Sequence, residues 1–577
     1  MAKQYTEEEL ERIARSREKR RSAGKTVVIV ILSALVAVLV GVLASMVYLM
    51  TQIQQGKNVS FSVPFLNQKL EYSVDEEEVT DSAAASAEAA AESAAGGAEE
   101  AAAETQSAVS QPAGSESAAS GTEGTSSAAE SAAGAAPDAE TAAIKEVAAD
   151  TLPVPASKEE ALQFAEGYAV QYDYDSAVAV IQSFAGYESD SDLTSAIDSY
   201  TAQKAACYVV DVQRVPHIFF HSLLNDDRGL RKDVVGEQRA WKNDTAMVTA
   251  DEFDNVIQQM YEAGYVLISL DDMCIKTQNS DGTVSIRPSD QVLLPEGKKA
   301  FVLSVDDLSY YHSYGIGTQG YATKLVLDEN GAVKCEYTNE SGETLIGDYD
   351  VVPRMDTFIH EHPEFAYHNA RGTVALTGYN GVFGYRTNDY YKDINHPKLD
   401  KDQVQWLKDH PDFSFDEDVA SAKAIADAMK KEGWTFASHT YGHWNASSHT
   451  AAELKTDNER WMTCNHEIIG DIDKIIFAFG GDIGTAHGYT ADNDKFQYFK
   501  SQGYNIFCNV DGHAGWTEFG ENYMRTGRIP IDGFSLYQAM TETGGSHATY
   551  SASYEVLGIH DIDKFFNKNR IVPIETE

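Results

Sequence analysis

Basic charge is what this chain has least of. Its 577 residues hold 45 Lys and Arg against 89 Asp and Glu, a net charge of −44. Contact with a phosphate backbone needs basic surface, so nucleic acid is excluded as a partner. Cysteine is scarce too: Cys207, Cys274, Cys335, Cys464 and Cys508 are the full set of five. The number is odd and no two stand at CxxC spacing, which excludes a disulfide framework. Aromatic residues are missing altogether from 75–150, where Ala, Ser, Glu, Gly and Thr take over. So little apolar surface cannot offset the entropy of ordering, so 51–150 is expected to be a mostly disordered linker. Only 51–73 has the mix of residues to pair as strands.

The residues present divide the rest of the chain. A length of 577 exceeds one compact domain. Residues 26–50 carry no charge and follow a tail, 1–25, with eight Lys and Arg against five Glu. At ~1.5 Å per residue such a run spans roughly 36 Å, enough for the ~30 Å hydrocarbon core. A signal peptide would have an apolar core of only roughly 7–15 residues. The pattern therefore predicts an uncleaved transmembrane helix over 26–50 with its basic tail in the cytoplasm. That makes a single-pass protein of the cell membrane, with everything after residue 50 outside. Residues 157–200 have helical periodicity and predict a helical hairpin. From 208 to 577 apolar strands alternate with amphipathic helices, which predicts an α/β fold with a parallel sheet or barrel. Thr249-Ala-Asp-Glu252 opens one such helix as a capping box. Two insertions interrupt the pattern: 318–352, a β-hairpin turning at Glu329-Asn330-Gly331, and 384–414, which is polar with Tyr390, Tyr391 and His396.

Two strings carry chemistry. Ser304-Val305-Asp306-Asp307 closes an apolar strand at 300–305, and Ser438-His439-Thr440-Tyr441-Gly442-His443 follows another at 434–437. One Asp and two His suffice for a metal site with positions open to water and substrate, leaving the second Asp as a base. Each string has a look-alike: Ser269-Leu270-Asp271-Asp272 for the aspartates and His217/His221 for the histidines. Asp271-Asp272 reads as a solvated turn or helix cap.

In the order of these features, residues 208–540 resemble the polysaccharide deacetylases of the NodB-homology type, in particular membrane-anchored bacterial members. Pro216-His-Ile-Phe-Phe-His221 is similar to their opening strand. Val302-Leu-Ser-Val-Asp-Asp307 stands at their Thr-Phe-Asp-Asp-Gly motif and Ser438-His-Thr-Tyr-Gly-His443 at their His-Ser/Thr-x-x-His motif. The resemblance implies a distorted (β/α) barrel. It implies Asp307, His439 and His443 as ligands of a divalent metal, zinc above all, and Asp306 as general base. It gives the look-alikes no catalytic role. Leu308 replaces the motif's Gly, and the base-orienting Arg is absent from Phe477-Ala-Phe-Gly-Gly-Asp482; Arg528 or Arg386 is the candidate replacement. The general-acid His falls on His560, in Leu557-Gly-Ile-His560, or on His487.

The expected activity is metal-dependent N-deacetylation of an N-acetylglucosamine-containing polysaccharide or peptidoglycan. Tyr310, Tyr311, Trp444 and Trp516 would line the substrate groove, joined by Tyr379 and Phe383. The alternative is a catalytically weak glycan-binding protein of the cell envelope that uses the same groove. Glycoside hydrolysis ranks last, because paired carboxylates leave His439 and His443 without a task.

Overall fold

The structure, a computed structural model, describes residues 152–485, 487–510, 515–541 and 557–559, together with the backbone of 59–63 and 68–72. The basic tail, the 26–50 run and nearly all of the linker lie outside the described residues. Among the described residues no helix is long and apolar enough to cross a membrane. Val59–Val63 and Gln68–Tyr72 pair antiparallel, with Val59 opposite Tyr72.

Beyond 208 the apolar strands gather into one sheet. Its members are β1 (His217–Phe220), β2 (Tyr265–Leu267), β3 (Lys299–Asp306), β4 (Thr373–Leu376), β5 (Thr435–Ser438), β6 (Lys474–Ile476), β7 (Ile506–Val510), β8 (Trp516–Phe519) and β9 (Met524–Pro530). Seven of them close a parallel barrel in the order β1, β3, β4, β5, β6, β7, β9 and back to β1. Arg528 of β9 stands opposite His217 of β1 at the closure. The barrel is distorted where β2 pairs with the first residues of β3 and then yields its place to β4. β8 pairs antiparallel with β9. Every residue of β3 except Lys299 is buried, as expected of a strand covered on both faces.

The helices form for reasons the sequence displays. Lys158–Val170 (α1), Tyr174–Gln182 (α2) and Ser191–Ala205 (α3) precede the barrel. Three helices thus form where a hairpin over 157–200 was expected. The third was obscure because Leu193 is its one buried side chain. Ala250–Glu262 (α4) starts at the expected Thr249 capping box and buries Phe253, Val256, Ile257 and Met260. At about 1.5–3 kcal/mol for each fully buried large apolar side chain, that stripe holds the helix on the sheet. Phe415–Glu432 (α5) and Ala451–Ile469 (α6) follow in the second half of the barrel.

The insertion at 318–352 is a three-stranded antiparallel sheet, one strand more than the hairpin expected, formed by Ala322–Leu327, Val333–Thr338 and Thr344–Gly347. Its first turn closes at Gly331, whose φ of 82° suits glycine. The 384–414 insertion holds a short 3₁₀ turn at Asp389–Lys392 and a helix at Lys401–Asp409.

Candidate metal centre

β3 ends on Asp306, and the next residue, Asp307, takes a left-handed φ of 62°. Successive strand residues point to opposite faces. The left-handed step, which costs about 1–2 kcal/mol, instead aims both carboxylates at the same place. Asp306 Oδ2 lies 3.9 Å, and Asp307 Oδ1 3.8 Å, from His439 Nε2. His439 and His443 stand on the loop that leaves β5. Thr440 and His443 are left-handed there, with φ of 62° and 56°. Asp457 of α6 secures the turn by accepting hydrogen bonds from the Tyr441 and Gly442 amides at 2.6 and 2.9 Å.

His439 Nδ1 is 2.7 Å from the Ile476 carbonyl and must donate to it. That fixes the tautomer and leaves the Nε2 lone pair facing the carboxylates. His443 Nε2 lies 3.5 Å from Asp307 Oδ2. Asp307, His439 and His443 each bring one ligand atom to within 4.8 Å of the others. Ligands held tetrahedrally about 2.1 Å from an ion would stand about 3.4 Å apart. The donor set, its spacing and the fixed tautomer therefore fit a divalent cation.

Arg528 grips the remaining carboxylate with both nitrogens. Its Nη1 is 2.7 Å from Asp306 Oδ1 and its Nη2 3.0 Å from Oδ2. Burial alone would raise the Asp306 carboxyl, but Arg528, His439 and His221 together hold it well below the usual range. Asp307 is likewise buried, and His443, His439, His221 and the Tyr311 hydroxyl keep it low. Arg528 also sits over the Phe219 ring and bonds Ser304 Oγ, which meets His217 Nε2 at 3.0 Å. Desolvation keeps His217 neutral by pushing its pKa well down.

Of the two candidate arginines, Arg528 is the one that contacts the Asp306 carboxylate. Arg386 does not: it is buried and donates to the Tyr310 and Asn380 carbonyls, bracing the loop beyond Asp307. His221 is the residue the sequence reading passed over. It follows β1, acts on the charge of both aspartates, and has a buried Nδ1 with no hydrogen-bond partner. The missed signal was its spacing from His217: residues four apart on a strand share a face. His217 lies inside the barrel, and that face reaches the rim at His221.

Several expected groove residues lie elsewhere. Tyr310 is buried and its hydroxyl donates to Asp350 Oδ2 at 2.8 Å. Tyr311 is buried behind the centre, its hydroxyl donating to Asp307 Oδ1 at 2.5 Å, with Tyr379 stacked on it. Phe383 is core. Trp444 is half-buried and stacks on His449, while Trp516 packs against the Arg525 guanidinium. His487 is exposed, and none of the triad's ion pairs or hydrogen bonds involves it. His560 lies outside the described residues. Asp272 caps its own loop through Ser269 and Asp271 opens a 3₁₀ turn, as expected, but the half-exposed Asp271 carboxylate also pairs with Lys276 and Lys474.

No family model and no curated protein matches the chain. Among solved structures it is similar to the Streptococcus pyogenes deacetylase PplD in complex with acetate, at 12% identity and a TM-score of 0.28, over 56% of this chain and 93% of that one. A likeness that slight lends no weight to either fold or function. The molecule's own geometry defines the class: a closed parallel (β/α) barrel with a candidate divalent-metal triad at the C-terminal ends of its strands, where barrel enzymes carry their chemistry.

Proposed function

We propose that the chain is a metal-dependent hydrolase that removes acetyl groups from an N-acetylglucosamine-containing polysaccharide of the cell envelope, peptidoglycan included. The observation that carries this reading is a carboxylate outside the triad, Asp306, clamped by Arg528 within 3.9 Å of the ligand His439. A structural metal site has no use for such a group; a hydrolytic one needs it as a base.

A divalent ion, most suitably zinc, held by Asp307, His439 and His443 would supply Lewis acidity and lower the pKa of a water molecule. Asp306 accepts the proton of the attacking water as its oxygen bonds to the acyl carbon. Arg528 keeps the carboxylate ionised and aimed. His221, whose charge acts on both aspartates, gives a proton to the amide nitrogen as the C–N bond breaks. The products are acetate and a free amine on the sugar. The acid role is assigned to His221, whose charge acts on both aspartates, ahead of His487, which makes no contact with the triad; His560 lies outside the described residues. The apolar run at 26–50 would anchor the enzyme in the membrane and the Ala/Ser/Glu-rich stretch would carry the barrel out to its polymer.

The test is acetate release from N-acetylchitotetraose and from peptidoglycan by the full chain loaded with zinc. Release that stops with a chelator and returns with metal supports the reading. Bound metal with no release from either substrate sinks it.

A further inference from the structure

Few large apolar side chains are exposed among the described residues. Phe479, at 63%, is the most exposed aromatic of them. Its neighbours behave otherwise: Phe477 and Ala478 are fully buried, with the Phe477 amide bonded to the Cys508 carbonyl. The chain then turns Phe479 outward through a left-handed φ of 58°. That conformation is unfavourable for a residue with a Cβ, and the exposed ring forgoes the gain of burial. Both costs fall beside the candidate metal centre, since the Phe479 ring lies 4.4 Å from the ring of His443. The next two residues must be glycine. A Cβ on Gly480 would come within 2.5 Å of Val510 Cβ, and one on Gly481 within 1.9 Å of Asn445 Oδ1. The segment is thus packed tightly underneath and presents one apolar ring above.

We infer that Phe479 is the platform on which the pyranose ring bearing the reacting acetamido group stacks, which fixes specificity for a sugar. The inference rests on the site being a glycan deacetylase. In an N-acetylated sugar the ring carbon is one bond from the amide nitrogen and two from the acyl carbon. A sugar whose acyl group reaches the triad must therefore lie within a ring's breadth of His443, where Phe479 stands. The C–H face of a pyranose is flat and apolar, and an exposed phenyl face complements it.

The test titrates N-acetylchitotetraose into the zinc-loaded full chain carrying Asp306→Asn, alone and with Phe479→Ala, Phe479→Gly or Phe479→Trp. Turnover is measured in parallel on chains with Asp306 intact. A platform predicts about ten-fold weaker binding and a raised KM with little change in kcat for Phe479→Ala, with recovery in Phe479→Trp. Phe479→Gly separates this from a structural role: it relieves the left-handed strain, so thermal stability holds or rises while affinity falls. Unchanged affinity in Phe479→Ala, affinity lost only together with stability, or no binding of the tetraose at all would overturn the platform. Binding that depends on Phe479 without any acetate release would instead overturn the deacetylase reading and leave the platform standing.

Discussion

Ser269-Leu270-Asp271-Asp272 and Ser304-Val305-Asp306-Asp307 differ by one apolar residue, and the fold gives them opposite electrical surroundings. Asp271 joins Lys276, Lys474 and Asp473 in a ring of ion pairs at the N-terminal end of β6, with contacts of 2.5–3.0 Å. Two cations meet two anions. Burial works against every charge there, yet the partners hold Asp271 low and Lys474 high. At the other string two carboxylates meet one guanidinium, and the remaining neighbours are imidazoles. There the carboxylates outnumber the permanently charged cations by two to one in a buried place. Closed charge compensation marks a structural cluster. Incomplete compensation, with lone pairs converging, marks a place for a cation.

Five substitutions test this contrast. The largest effect is expected at Asp306: Asp306→Asn should cut acetate release about 10³-fold while bound metal stays at the wild-type level. Loss of metal together with activity would make Asp306 a ligand and dissolve the division of labour between the two aspartates.

Asp350 extends the comparison to a buried carboxylate that, among the described residues, has no cation against it. It accepts from the Leu223 and Val351 amides and the Tyr310 hydroxyl, and burial pushes it up to about 6. Its folded pKa exceeds its unfolded one. Between pH about 4 and about 6 the unfolded chain gives up the proton while the folded chain keeps it, so this group's contribution to stability falls as pH rises. The loss, about 3 kcal/mol in full, is complete above about pH 6. Asp350→Asn should flatten that slope in denaturant unfolding measured from pH 4 to 7. An equal slope in both proteins would refute the assignment.

His221→Ala should lower kcat about 10²-fold with metal content intact, whereas His487→Ala should leave kcat alone. The reverse pattern would return the acid role to His487. The smallest effect belongs to the compensated string. Asp271→Asn should cost about 1–2 kcal/mol of stability, a figure discounted for its partly exposed carboxylate, and leave metal binding untouched. Calorimetry with metal analysis checks both.

The convergence of Asp306, Asp307, His439 and His443 was legible because strand-end placement and order along the chain survive in one dimension. Asp306-Asp307 and the 439–443 string each follow an apolar strand, and a barrel gathers such ends. Arg528 was legible only as a candidate, since its distance from Asp306 depends on how the barrel closes between β9 and β1. Tyr310 and Tyr311 misled because adjacent tyrosines look like a binding surface. Their burial depends on partners such as Asp350 and Thr377, remote in sequence. His221 was hidden by its pairing with His217, which suggested one inert unit rather than a buried residue and a rim residue on one face.

The central claim is that Asp307, His439 and His443 hold a functional divalent ion. Zinc titration of the metal-stripped full chain, beside His443→Ala, tests it most directly. One equivalent of tightly bound zinc per chain is expected, lost in His443→Ala, with stability of the apo protein little changed by the substitution. No zinc uptake by the wild type, or equal uptake by the variant, would contradict it.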